Sequence, residues 1–97
     1  MKARIRKIEK SLRAARAARM VNEETAILCR YWLRQARRAA SLRDKAPTSA
    51  HTLADNACTS AIVVAEETLA GRPKSAARAA TIFNRFLRDA QEAMKKN

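Results

Sequence analysis

Residues 46–74 read APTSAHTLADNACTSAIVVAEETLAGRPK, and the breaks at their two ends decide the fold. Pro47 disfavours helical geometry at Ala46, and Thr48 or Ser49 can cap a helix that starts just after it. Gly71 stands where the residue after a helix end belongs. Pro73 falls at an early position of the next helix, where its missing N–H costs nothing. Between the breaks, Leu53, Ala54, Ala57, Cys58, Ala61, Ile62, Val64, Ala65 and Leu69 fall on one face when wound at about 100° per residue.

The flanking segments follow the same pattern. Upstream, Leu28, Cys29, Trp32, Leu33, Ala36 and Ala40 share one face, and Asn22 before Glu23 and Glu24 marks an N-cap with two acids in the positive first turn. Downstream, the apolar face is Ala76, Ala79, Ile82, Phe83, Phe86, Leu87, Ala90 and Met94. Helices are therefore expected near 3–19, 23–44, 49–70 and 73–95. Helices with one wet and one dry face bury the dry faces together as a bundle, with Trp32, Phe83 and Phe86 as its large anchors.

Composition agrees. Alanine contributes 22 of the 97 residues and aromatics only 4%, so the apolar content suits closely packed helices. One Gly and two Pro leave little turn chemistry for strands. The expected fold is all-α, a single domain spanning 1–97 and built as a small bundle of three or four amphipathic helices. The count turns on the first break. No Gly or Pro precedes Pro47, and a heptad series runs through Ile5, Ile8, Leu12, Ala15, Ala26, Cys29, Leu33, Ala36 and Ala40. Arg19 and Asn22 interrupt it, which favours a turn over one continuous rod of about 63 Å. The same heptads permit a homodimer.

Charge is uneven. Arg4, Lys7, Lys10, Arg13, Arg16 and Arg19 recur at every third position, and residues 1–19 hold +7 of the chain's net +12 with Glu9 as their one acid. Residues 46–71 contain no Lys or Arg and carry −3. One side of the fold is therefore expected to be electrostatically distinct. Each step of three turns a helix by about 300°, so the ladder winds around the axis and is no stripe. It encloses a narrow apolar strip of Ile5, Ile8, Leu12 and Ala15. True stripes occur in Arg30, Arg34, Arg37 and Arg38, opposite Trp32, and in Lys74, Arg78, Arg85 and Arg88, opposite Phe83.

Arginine is the commoner cation, and its planar fork suits phosphate oxygens. A pI near 11 points to a polyanionic partner, DNA or RNA contacted through its phosphates. The rival is a small adaptor or inhibitor, of the kind mobile elements carry, that docks on an acidic protein surface with Ile5, Ile8 and Leu12 as anchor. Peripheral lipid contact is weaker, because the apolar strip is thin. Base readout has little support. No aromatic interleaves with residues 1–19, and Tyr31 is the one ring able to stack beside a stripe. The segments joined at Gly71-Arg72-Pro73 are too long for a helix-turn-helix. Gly71-Arg72-Pro73-Lys74 resembles part of an AT-hook but has Ala70 where an arginine is wanted.

Catalytic equipment is missing from the pattern. His51 is the lone histidine, in a helix's first turn and suited to capping or to the surface. Cys29 and Cys58 sit on apolar faces in no metal-ligand spacing, as small hydrophobes do. Glu23-Glu24 and Glu66-Glu67 splay by about 100° and cannot act as paired acids. With a single Gly there is no phosphate-cradling loop. No enzyme, metal or cofactor is expected. No stretch reaches the roughly 18 residues of a membrane span, and a cytoplasmic, reducing setting is expected. Residues 1–20 share the arginine-rich, acid-poor make-up of a mitochondrial transit peptide, but the rest of the chain is also arginine-rich.

Overall fold

The interruption at Arg19 and Asn22 breaks the rod. In the computed structural model, which describes residues 2–95, four helices make an all-α bundle: α1 (Lys2–Ala17), α2 (Glu23–Lys45), α3 (Thr48–Leu69) and α4 (Pro73–Lys95). Arg19 takes a left-handed φ of 57° and closes α1. Its N–H donates to the Arg16 carbonyl at 3.0 Å and the Met20 N–H to the Ala15 carbonyl at 2.8 Å, the paired bonds of a Schellman cap. Asn22 then caps α2, its Oδ1 accepting the Thr25 N–H at 2.7 Å. Val21, just before that cap, packs on the core and fixes the angle at which α2 starts.

At the second break Ala46 is extended, as a residue before proline should be, and Pro47 itself is the N-cap of α3. The expected capping by Thr48 or Ser49 does not occur. The ring locks Pro47 at φ −65°, ψ swings to 158°, and the helix begins one residue too early for either hydroxyl to serve. His51 makes a contact of another kind, as a donor. Its Nε2 donates to the Ala46 carbonyl at 2.8 Å and ties the first turn of α3 to the end of α2. The third break repeats the first, with Gly71 at φ 75°. The Gly71 N–H donates to the Thr68 carbonyl at 3.2 Å and the Arg72 N–H to the Glu67 carbonyl at 2.9 Å. Pro73 opens α4, so Gly71 and Pro73 are helix punctuation here.

α3 is the centre of the fold. It packs along both α2 and α4, and α1 lies in lighter contact across α2 and α3. Ala54, Ala57, Cys58, Ala61, Ile62 and Ala65 of α3 are wholly buried, as are Ala26, Cys29, Ala36 and Ala39 of α2. Side chains this small let the backbones approach closely, and a few large ones fill the rest. Phe83 is buried and stands perpendicular to Trp32, with ring centroids 5.3 Å apart. Phe86 and Leu87 pack partly buried against the same cluster.

Two residues placed on dry faces by their spacing are in fact exposed. Leu28 and Ile82 keep 48% and 47% of their surface. Each lies at the margin of its apolar arc, and α3 covers only the middle of that arc on either neighbour. The heptad seam is buried within the chain. Ile5, Ile8, Leu12, Ala26, Cys29, Leu33 and Ala36 all enter one cluster with α3 and Phe83, so these seam residues are used within the chain.

Candidate nucleic-acid interface

The acidic segment is not a separate electrostatic face. Its helix is the buried one, and its three carboxylates each meet a cation from elsewhere in the fold. Asp55 takes Arg43 of α2 at 2.7 Å, Glu66 takes Arg4 of α1 at 2.8 Å, and Glu67 pairs with Arg72. A helix this central has little outer surface to colour, so the expected acidic side becomes a set of ties. The other acids behave alike. Glu9 binds Arg37, Glu23 binds both Arg16 at 3.1 Å and Arg30 at 3.2 Å, Asp44 approaches Arg43, and Glu92 approaches Lys95. Among the described acidic residues only Glu24 and Asp89 have no ion pair.

These ties divide the sequence-derived cations into two groups. Arg4, Arg16, Arg30 and Arg37 are held by carboxylates, although each stays about half exposed. Lys7, Lys10, Arg13 and Arg19 of the ladder, Arg34 and Arg38 of α2, and Lys74, Arg78, Arg85 and Arg88 of α4 are exposed and, among the described residues, make no ion pair. The α2 stripe therefore splits. Arg37 reaches Glu9 on α1 and Arg30 reaches back to Glu23, while Arg34 and Arg38 remain on the outer ridge. The α4 stripe stays whole, and Thr81, Asn84, Arg85 and Arg88 line a shallow open depression along it. This chain matches no family model, no curated protein and no solved structure.

The structure adds cations that the patterns did not single out. Lys2 and Arg6 of α1 face Arg37, Ser41 and Asp44 of α2 across a cleft of about 440 Å³ floored by Ile5 and Ala40. Lys45 shares a second cleft with Arg38, facing Leu87 and Gln91 of α4. Lys45 was legible, since it lies seven residues beyond Arg38 and so on the same ridge. Arg6 falls outside the three-residue ladder, and nothing in its spacing marks it.

Ile5, Ile8 and Leu12, the anchor of the adaptor reading, retain 2%, 6% and 3% of their surface. They hold α1 to the bundle and are not presented to a partner. The surface apolar residues are others: Met20, Ile27, Leu28, Tyr31 and Ile82. His51 is occupied by its capping bond. Cys29 donates weakly to the Ala65 carbonyl at 3.7 Å, and burial pushes both the Cys29 and Cys58 thiols above their ordinary range. Both therefore stay protonated at neutral pH and make poor nucleophiles. No group of His, Cys, Asp and Glu able to hold a metal occurs among the described residues, and no helix there is long and apolar enough to cross a membrane.

Proposed function

We propose that this chain binds nucleic acid through the phosphate backbone and acts without catalysis, as a regulatory, packaging or architectural protein inside the cell. One observation carries the reading. Most carboxylates are spent on ties within the fold, whereas exposed arginines and lysines on α1, α2 and α4 make no ion pair among the described residues. The three carboxylates of α3 reach the surface but each lies beside an arginine, so they form no uncompensated acidic patch. Arg34, Arg38, Lys74, Arg78, Arg85 and Arg88 are the main contacts, with Lys7, Lys10 and Arg13 of α1 as further ones. Guanidinium groups free of carboxylates can each take a phosphate without first breaking a bond.

A gel-shift titration across ionic strength tests this. Backbone binding with six or more phosphate contacts loses on the order of a thousandfold in affinity between 50 and 200 mM salt. No binding to duplex DNA, single strands or RNA at low salt, or binding indifferent to salt, would overturn the reading. A second reading, a protein-binding adaptor, draws on a different place from the strip at Ile5. Leu28, Trp32, Ala76, Ala77 and Ala80 line an open apolar cleft of about 390 Å³ between α2 and α4. A pull-down with and without nuclease treatment separates the two.

A further inference from the structure

We infer that Tyr31, with Arg34 and Arg38, forms a stacking site for an unpaired nucleobase, so that the preferred ligand is a single strand of RNA or DNA. This rests on the nucleic-acid reading above and narrows it to a ligand class.

Tyr31 is the one aromatic residue left exposed among the described residues, at 43% of its surface. Its ring is not loose. It stands perpendicular to Trp32 with centroids 5.3 Å apart, and Trp32 stands in the same way against the buried Phe83. A surface ring anchored through two others to the core has already lost most of the freedom that stacking would otherwise cost. In a perpendicular pair the indole can cover at most one face of the phenol, so at least one π-face is left to a planar base.

Position supplies the phosphate contacts. Arg34 and Arg38 lie three and seven residues on, along the same outer ridge of α2, both exposed and neither tied to a carboxylate. They are separated by about 6 Å along the axis, so each can take a phosphate of its own. Lys45 continues that ridge by two further turns. Glu24 lies two turns in the other direction, so the favourable track runs from Tyr31 towards the C-terminal end of α2. Stacking of this kind tolerates any base, and Gln35, one turn beyond Tyr31 on α2, is the nearest amide to it.

The full chain is titrated at low salt with fluorescein-labelled oligo(U), oligo(dT) and a blunt DNA duplex of equal nucleotide count. Anisotropy reports binding, and the emission of Trp32, the only tryptophan, reports events at its neighbour. The expected result is tighter binding of at least one single strand than of the duplex. Tyr31→Ala should weaken that single strand by about tenfold or more and leave the duplex within about twofold. Tyr31→Phe keeps the ring and should behave as the native chain. Equal single-strand affinity of Tyr31→Ala and native protein overturns the stacking site, and so does an equal loss on duplex. A change in oligomeric mass on Tyr31→Ala with unchanged single-strand affinity also overturns it, and assigns the ridge to protein contact. Failure of every nucleic acid to bind defeats the underlying reading instead.

Discussion

Arg19 and Gly71 hold the same left-handed position at the ends of α1 and α3, with φ of 57° and 75°. Each closes its helix with the same pair of backbone bonds, one residue having a long side chain and the other none. The conformation is costly for any residue with a Cβ, by about 1 kcal/mol or more. Arg19→Gly should therefore raise stability by about 0.5–1 kcal/mol, net of the extra freedom glycine gains when unfolded. Gly71→Ala should lower it by about 1 kcal/mol. Beyond its own chain neighbours nothing lies within 4 Å of the added Cβ, so that loss is conformational and not a clash. Urea unfolding of both variants checks the pair, and shifts of the same sign would contradict it.

What secures α1 is apolar contact, not its ion pairs. Ile8→Ala should cost about 2–4 kcal/mol, as large-to-small changes in a core do. Arg4→Gln should cost less than about 1 kcal/mol, because both partners of Arg4–Glu66 are nearly half exposed and screened by solvent. Thermal unfolding of the two variants orders them. A greater loss from Arg4→Gln would mean that charge holds the helix in place.

Arg37 and Arg38 are adjacent in the chain but differ in state. Arg37 is tied to Glu9, and Arg38 is unpaired among the described residues. Under the proposed function, Arg38→Gln should reduce the slope of log affinity against log salt by close to one contact. Arg37→Gln should change it by much less. Equal effects on duplex DNA would show that Glu9 releases its arginine on binding.

Cys29 and Cys58 should resist thiol reagents in the native state and react fully in denaturant, since both are buried and held protonated. Their folded pKa values lie above the ordinary 9.0 because burial penalises the thiolate. The unfolded chain therefore loses these protons first. Their contribution to stability is complete below pH 9 and declines as pH rises beyond it. A double Cys29→Ala, Cys58→Ala variant should show a flatter stability profile above that pH. Rapid labelling of either native thiol would refute the burial.

Much of the fold was legible because it rests on local rules. Gly71, Pro73, Pro47 and Asn22 act on the backbone within a few residues, and they mark the helix ends to within a residue or two. The apolar faces of α2, α3 and α4 were readable for the same reason. Leu28 and Ile82 were misplaced because periodicity gives a side chain's angle but not the width of the helix that covers it. Thr48 and Ser49 lost the cap to Pro47, whose own torsions set where α3 starts.

The candidate site was legible in its cations and illegible in their pairing. The residue types, the net charge, the winding of the ladder and the alignment of the α4 stripe follow from sequence and helix geometry alone. Tertiary structure alone decided which charges are free. Glu9, Asp55 and Glu66 find their arginines across helix interfaces, at separations in the chain that no local pattern can register. It also decided that Ile5, Ile8 and Leu12 face inward and that Tyr31 is braced by Trp32. Each of these depends on which faces meet when four helices share one core, and that is a property of packing and not of any segment by itself.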